Sequence, residues 1–383
     1  MNTDHWREDL RFFADELQKH HKNPFHLTSK EQFRSAVAEL DARIPSLQDY
    51  EIVVGLQRLA AMIGDGHTYL ATWDIHHFYP LEMYWFQDHL RVIRTVPAHE
   101  GPLGMRLVAI NGMSTTEVSA KVQDVIPQGE NEWYVLQQSA NQMIRAEILA
   151  TFGIVPHLGQ AMFTFEDDNN RQLTVNIEPV APDTKLDWIH VTKDPPLYQQ
   201  RPNESFWFVT LPEAQTLYVN FRNYANLEQH AQRLWEFIDH HMPKGLIFDL
   251  RQNGGGNYTL GRSQLIYELQ NRPTLNRAGC LFVIIGRATF SAAMTNATDF
   301  RRETDAILVG EPTGARPKGY QENHWITLPN SDMHVSIASR YYKFQDVNTP
   351  AVMPDHIIEP SWGDYKAGRD SVIEWILSNK ESK

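Results

Sequence analysis

Residues 281–297 read LFVIIGRATFSAAMTNA, and this stretch decides the fold. Its first five residues, Leu281 to Ile285, are all apolar, which is typical of a strand buried on both faces of a sheet. A short turn follows, and from Ser291 onward the composition favours a helix. A strand that leads directly into a helix is the repeating unit of a parallel α/β sheet.

The same alternation recurs on both sides of this stretch. Strands are predicted at residues 217–221, 246–250 and 307–309, with helices between them. Elements of this length imply parallel strands joined by right-handed crossovers. Residues 197–383 are therefore predicted to form an α/β core, in which ligands bind beyond the carboxyl ends of the strands.

The preceding residues have a different organisation. Residues 1–72 contain three stripes of apolar residues at helical spacing, and Thr28 to Glu31 form a predicted capping box before the second. Residues 73–180 are predicted to be rich in strands, with a helical stretch at 133–149 and a hairpin at 162–177. Residues 181–196, which are rich in Pro and Asp, are interpreted as a linker.

Composition excludes several classes of function. The 383 residues carry a net charge of -12, which argues against a nucleic-acid groove. The single cysteine, Cys280, cannot form an internal disulfide and is expected to be a buried structural thiol. No apolar stretch approaches the roughly 20 residues that span a bilayer, and no signal peptide is visible, so we expect a cytoplasmic location.

Ser291 is the first candidate for chemistry. A serine between a buried strand and a helix exposes its hydroxyl at the sheet edge, where the free amides of the first helical turn can hold an oxyanion. The Gly-x-Ser-x-Gly pattern of a nucleophile elbow is absent. Position alone therefore favours a helix cap over a nucleophile.

Three consecutive glycines, Gly254 to Gly256, follow the strand at 246–250. Without side chains, their backbone can approach a substrate closely, and the amide of Gly255 or Gly256 can supply one oxyanion donor beside that of Ala292. A phosphate-binding loop is disfavoured because no Gly-Lys-Ser/Thr follows. A dinucleotide site is disfavoured because Thr259 stands where the third glycine belongs.

His67, in the glycine-flanked loop Gly64 to Thr68, is the candidate base for such a serine. It is one of 17 histidines, so it does not stand out alone. The His-Glu-x-x-His spacing of a zinc protease is absent, and no metal is expected.

Taken together, these elements resemble the tail-specific, C-terminal-processing serine peptidases, a family that includes tricorn protease and whose module recurs in retinoid-binding proteins. The resemblance covers most of the chain. It is carried by residues 65–68, 249–256, 289–294, 310–314, 328–331, 354–355 and 364–370, which read DGHT, DLRQNGGG, TFSAAM, GEPTG, LPNS, PD and DYKAGRD. It implies a Clp-protease/crotonase-like core of repeated ββα units and, in the β-rich segment, a PDZ-like domain that we expect to be reduced or absent. The three apolar stripes of residues 1–72 predict an N-terminal three-helix bundle beside them.

The resemblance also implies roles for individual residues. In its histidine branch, His67 serves Ser291 as general base; in its lysine branch, Lys318 is the second choice, although extra residues interrupt the Gly-Lys-Gly context. An acidic residue orients the histidine, and Asp346 and Glu322 are the two candidates.

The expected function is hydrolysis of peptide bonds by acyl transfer, with no cofactor, on a peptide or protein substrate. A homo-oligomer fits the family. Two alternatives remain open: a non-catalytic binding module on the same fold, and a crotonase-like acyl-thioester enzyme that needs no nucleophilic serine.

Overall fold

A computed structural model describes residues 1–87, 89–211 and 215–380 of the chain. They form two compact units: Met1–Val191 with Gly319–Tyr342, and Thr192–Lys318 with Lys343–Lys383. The mixed α/β class with several sheets is confirmed. The division at 1–72, 73–180 and 197–383, the Clp/crotonase-like core, the three-helix bundle and the PDZ-like segment stay predictions.

The second unit is built on a six-stranded sheet with the order β16-β13-β12-β11-β10-β9 among the described residues. Strands β10 to β13 and β16 are parallel, as the sequence predicted for β10 to β13, and β9 is an antiparallel edge strand. The strands are β9 (Phe206–Leu211), β10 (Thr216–Phe221), β11 (Gly245–Asp249), β12 (Leu281–Ile285), β13 (Ile307–Gly310) and β16 (His356–Ile357).

Continuous apolar strands allow this sheet to be covered on both faces. Along β11, Leu246 and Phe248 pack into one hydrophobic cluster, while Ile247 between them packs into another on the opposite face. The helices of the unit are α7 (Leu227–His241), α8 (Tyr258–Gly261), α9 (Tyr267–Gln270), α10 (Ser291–Glu303), α11 (Trp362–Lys366) and α12 (Ser371–Asn379). A π-helical turn, Arg262–Ile266, joins α8 to α9. Cys280 is a buried free thiol beside β12.

Three helices open the first unit at the predicted positions: α1 (Thr3–His20), α2 (Lys30–Arg43) and α3 (Asp49–Ala61). The capping box of α2 lies one residue later than predicted, because Ser29 takes the extended cap conformation and exchanges hydrogen bonds with Gln32. The prediction of Thr28 with Glu31 was therefore wrong. The pattern Thr-Ser-Lys-Glu-Gln offers two adjacent boxes, and the one that fits the observed helix start forms.

A larger sheet follows, with the path β2-β3-β4-β6-β7 and with β5 and β8 paired to its strands. Its members are β2 (Leu81–Phe86), β3 (His89–Thr95), β4 (Arg106–Ile110), β5 (Met113–Ser114), β6 (Ala161–Glu166), β7 (Gln172–Ile177) and β8 (Ile189–His190). The predicted hairpin is confirmed as β6 and β7, and the helical stretch as α5 (Glu132–Gln142) and α6 (Ala146–Thr151), after α4 (Thr115–Val122). Strand β8 lies inside the predicted linker; two residues are too few to leave a pattern in the sequence.

The first unit also holds a small sheet in the order β1-β15-β14. Its strands are β1 (Tyr69–Leu70), β14 (Lys318–Thr327) and β15 (His334–Lys343). Tyr69 pairs with Ser336 and Leu70 with Val335 in antiparallel register, which fixes the segment that follows His67. In the described part of the chain, no helix combines the length and apolar character needed to cross a membrane.

Candidate active site

Ser291 lies at the turn between β12 and α10 with a φ of 48°. Residues other than glycine rarely adopt this left-handed backbone conformation. Holding one there costs on the order of 1–3 kcal/mol. The cap position of α10 belongs to Phe290, which makes no side-chain cap. The helix-cap interpretation of Ser291 was therefore wrong; its backbone is instead held in a strained, left-handed conformation at the first residue of the helix.

Hydrogen bonds to the neighbouring strand hold this turn. The hydroxyl of Thr289 donates to the carbonyl of Leu250 at 2.8 Å and accepts from the amide of Gly286 at 3.0 Å. The amide of Phe290 donates to the carbonyl of Asn253 at 3.0 Å. The turn is thus fixed on both sides of its bend to the loop that follows β11.

An ion pair braces the same turn from the other neighbouring strand. The guanidinium of Arg287 lies 2.6 Å from the carboxylate of Glu311, which follows β13, and both side chains are buried. Because a buried charge without a partner is costly, this pair strongly disfavours movement of the turn relative to the end of β13.

The glycine loop passes directly beside the serine. Gly255 has a φ of +115°, and a β-carbon built on it would lie 2.6 Å from Cβ of Ser291 and 3.1 Å from the amide nitrogen of Ala292. Gly256 has a φ of +151°, and its β-carbon would lie 2.5 Å from the ring of Tyr224. Both positions therefore require glycine, as the sequence suggested for a loop with close backbone approach.

Asn253 decides which amides of this loop are available. Its buried side chain donates to the carbonyl of Phe221 at 3.0 Å and accepts from the amide of Gly255 at 3.0 Å. The amide of Gly255 is therefore occupied. Within the described residues, the amides of Gly256 and Ala292 have no protein acceptor, which leaves them as the candidate oxyanion donors. Sequence reasoning missed Asn253. An asparagine directly before three glycines was a usable signal, because its side-chain amide can bond to the backbone of the loop.

Arg251 anchors the start of the glycine loop. Its guanidinium contacts the carboxylates of Asp249 and Asp370 at 2.6 Å each and lies over the ring of Tyr198, 4.1 Å from its centroid. Burial acts to lower the pKa of Arg251, but the charges of the two carboxylates outweigh it and hold that pKa well above its ordinary value. Arg251 therefore stays charged as a structural support.

His67 is held in the first unit, in the loop between α3 and β1. Its side chain is buried, its amide donates to Oδ1 of Asp65 at 3.1 Å, and its carbonyl accepts from the hydroxyl of Ser336 at 2.7 Å. The amide of the preceding Gly66 donates to the buried carboxylate of Glu130 at 2.9 Å. The neighbouring Asp65 and side chains from two distant segments, Glu130 and Ser336, thus fix the main chain around His67.

Burial lowers the pKa of His67 to about 4, while the negative charges of Asp65 and Glu322 act in the opposite direction. The imidazole is therefore neutral near pH 7, the state in which it can accept a proton. Glu322 is one of the two carboxylates, with Asp346, that the sequence offered for orienting His67. The choice between them stays a prediction.

The other candidates have these surroundings. Glu322, in β14 with a φ of 70°, is exposed and accepts from the hydroxyl of Tyr342 at 2.6 Å. Asp346 is exposed in the second unit, and its carbonyl accepts a hydrogen bond from the ammonium of Lys318. Lys318 thus supports the main chain at Asp346.

The predicted site residues fall in both units. Ser291, Gly255, Gly256, Ala292 and Asp346 belong to the second, and the structure brings the first four together. His67 and Glu322 belong to the first. In residues 1–87, 89–211 and 215–380, no group of three or more His, Cys, Asp or Glu side chains could hold a metal ion.

Two solved structures of CPAF share this fold. The structure of mature CPAF complexed with lactacystin is 11% identical, with a TM-score of 0.65 over 98% of this chain and 97% of that one. A serine-to-alanine mutant of CPAF is 10% identical, with a TM-score of 0.67 over 100% of this chain and 99% of that one. The photosystem II D1 C-terminal processing protease is 13% identical, with a TM-score of 0.45 over 96% and 98% of the two chains.

No family model matches the chain, and no curated protein matches it in sequence. At identities of 10–11%, the likeness to CPAF shows a common fold along almost the whole of both chains.

Proposed function

We propose that the chain is a serine peptidase of the tail-specific, C-terminal-processing family, in its tricorn-like, histidine-base branch. The observation that carries the proposal is Ser291 itself: a non-glycine residue in left-handed conformation between a parallel strand and a helix, with Gly255 against its β-carbon. A helix start needs no such strain, whereas a nucleophile elbow does. The motif order along the sequence and the CPAF-like fold support the same assignment.

In the proposed reaction, His67 removes the proton of the Ser291 hydroxyl as the oxygen attacks a peptide carbonyl. A neutral imidazole is required for this step, and burial keeps His67 in that form at pH 7. The protonated imidazole then gives its proton to the departing amine, and water hydrolyses the acyl-enzyme by the same route.

The amides of Gly256 and Ala292 are the proposed oxyanion donors. Ala292 follows Ser291 in the chain, and Gly256 follows the glycine that lies against Ser291. Both amides lack an acceptor within the described residues, whereas the amide of Gly255 is already bound to Asn253. Gly255 instead supplies the space that the serine needs. Losing one such donor typically reduces kcat by about 100- to 1000-fold.

Glu322 is the proposed third group. Asp65 has the larger effect on the His67 imidazole, and the negative charge of Glu322 within the same unit adds to it; both favour the imidazolium that forms during the reaction. Asp346 is the competing assignment from the family pattern. Glu322→Gln is expected to lower the rate of acylation more than Asp346→Asn, and the reverse order would transfer the role to Asp346.

Labelling with a fluorophosphonate probe tests the nucleophile. The intact protein is expected to form one adduct, which Ser291→Ala abolishes and the exposed Ser378→Ala preserves; His67→Ala should slow it strongly. A folded protein that forms no adduct would favour the binding module, and thioesterase activity that survives Ser291→Ala would favour the crotonase-like alternative. If Lys318→Ala stopped labelling and His67→Ala did not, Lys318 would be the base and the lysine branch of the family would apply.

Cleavage preference is tested with an unfolded model protein such as casein. It is also tested with pairs of peptides that have the same sequence and differ only in a free or an amidated C-terminus. We propose endopeptidase action, in which internal bonds are cut and mass spectrometry detects internal fragments. Dependence on a free C-terminus would indicate tail selection, and removal of single terminal residues would contradict endopeptidase action.

A further inference from the structure

His21 and Asp65 form a buried pair behind the His67 loop. Nε2 of His21 lies 2.8 Å from Oδ2 of Asp65, with side-chain exposures of 0% and 4%. The two residues are 44 positions apart in sequence, and His21 belongs to the end of α1. Neither residue gives or takes the transferred proton in the proposed reaction, so the pair must serve another purpose.

The tautomer of His21 follows from its other nitrogen. The amide of Asn23 donates to Nδ1 of His21 at 2.9 Å, so Nδ1 is an acceptor and a neutral imidazole carries its proton on Nε2. Nε2 then donates to Asp65. The orientation of the hydrogen bond between His21 and Asp65 is thereby fixed by the main chain after α1.

Asp65 uses both carboxylate oxygens. Oδ2 accepts from His21, and Oδ1 accepts from the main-chain amide of His67 at 3.1 Å. A chain of hydrogen bonds therefore runs from the Asn23 amide through His21 and Asp65 to the residue that carries the proposed base. Fixed supports of this kind hold a catalytic side chain in its productive geometry.

We propose that Asp65, locked by His21, is a positioning residue that holds His67 for proton transfer. The inference rests on the proposed function, since it assigns the support of the same base. The charged and titratable groups around this loop include the carboxylates and histidines Asp65, Glu130, Glu322, His21 and His26 and the phenols Tyr69, Tyr134 and Tyr320. Burial lowers the pKa of His67, and Asp65 opposes that effect, so the carboxylate keeps the imidazole a stronger base than burial alone would allow.

Substitutions at Asp65 and at His21 test this role. Asp65→Asn retains one acceptor oxygen but replaces the other with a donor, so it cannot accept from both His21 and His67. His21→Gln retains a donor N–H that can reach Asp65, whereas His21→Ala removes it. His20→Gln is the matched control, because the neighbouring His20 bonds to Glu16 and stacks on His324 instead.

Two readouts separate positioning from a purely structural role. The rate of fluorophosphonate labelling is expected to fall about 100-fold in Asp65→Asn and His21→Ala, as misplacement of a catalytic group by about 1 Å can cause. His21→Gln should recover most of the rate, and His20→Gln should keep it. The Cε1–H resonance of His67, assigned by its loss in His67→Gln, should titrate at lower pH in Asp65→Asn than in the parent protein.

The outcomes are distinguishable from those of the proposed function. The inference is overturned if folded Asp65→Asn protein keeps the labelling rate of the parent protein. It is also overturned if labelling slows but the titration of His67 is unchanged. Neither outcome affects the proposed nucleophile and base. If Ser291→Ala or His67→Ala fails to suppress labelling, the proposed function itself fails. Should His21→Ala not fold, Asp65→Asn and His21→Gln still decide the matter.

Discussion

Gly255 runs so close to Ser291 that a β-carbon on the glycine would lie 2.6 Å from Cβ of the serine, nearer than such atoms approach in proteins. The two residues come from different strand ends, after β11 and after β12. The contact is therefore a tertiary constraint: each backbone takes its left-handed conformation against the other. It explains why a glycine is needed here for reasons beyond the flexibility of a turn.

Gly255→Ala is the first prediction. The added methyl group must displace Ser291 or the amide of Ala292, and it also occupies an unfavourable φ, so we expect a loss of about 1–3 kcal/mol in unfolding free energy. Labelling of Ser291 should fall about 100-fold, because the nucleophile is displaced. Urea denaturation and labelling kinetics measure the two effects.

Gly254→Ala is the control for this substitution. Gly254 is exposed, and a β-carbon on it would meet nothing within 4 Å. Its labelling rate and stability should stay close to those of the parent protein. Equal behaviour of the two alanine variants would show that the close approach of Gly255 has no consequence.

Asn253→Leu is the second prediction. The side chain keeps its approximate size but loses the bonds to the Phe221 carbonyl and the Gly255 amide, and a buried polar group left unpaired costs about 1–3 kcal/mol. The midpoint of urea denaturation should fall accordingly. Gln252→Leu, at an exposed neighbour that bonds to Arg222, should change stability by no more than about 0.5 kcal/mol. Similar losses in both variants would contradict the role given to Asn253.

Asp370→Asn is the third prediction. Oδ1 of Asp370 caps α12 and accepts from Nη1 of Arg251, and an asparagine oxygen can do both. Oδ2, which accepts from Nη2 of Arg251, becomes a donor, and the negative charge is lost. Arg251 is then left with only Asp249 as a buried counter-charge, and breaking such a pair costs about 3–5 kcal/mol. Thermal denaturation measures the loss.

The control for Asp370 lies six residues earlier in the chain. Asp364 pairs with Arg369 at the surface, where solvent screens an ion pair and leaves it little effect on stability. Asp364→Asn should therefore change stability little. A small effect of Asp370→Asn, equal to that of Asp364→Asn, would show that Arg251 does not depend on its second carboxylate.

Sequence reasoning could locate the elements whose signal is local. Strands β10 to β13 follow from continuous apolar runs, and Ser291 and the glycines follow from their places at strand ends. The support of these residues could not be found in this way, because it depends on contacts between distant positions, such as His21 with Asp65 or Asn253 with Phe221. Choosing Glu322 or Asp346 as the orienting carboxylate similarly requires the placement of β14, which no short motif encodes.

The pH dependence of stability is the fourth prediction. Burial lowers the pKa of His67 to about 4, and burial together with the charges of Arg145 and His77 lowers that of His76 to about 3. Both histidines are neutral in the folded protein but bind protons near pH 6.5 when the chain unfolds. Their contribution to stability is therefore complete above about pH 6.5 and is lost as the pH falls toward 4 for His67 and toward 3 for His76.

Over this interval His67 alone accounts for roughly 3 kcal/mol, from a shift of pKa between its ordinary 6.5 and about 4. His67→Gln and His76→Gln cannot take up a proton, so each should flatten the fall in unfolding free energy between pH 6.5 and 4, and the double variant should flatten it further. Urea denaturation at a series of pH values gives the slopes. If His67→Gln retains the slope of the parent protein, the histidine already exchanges protons freely in the folded state, and burial does not hold it neutral.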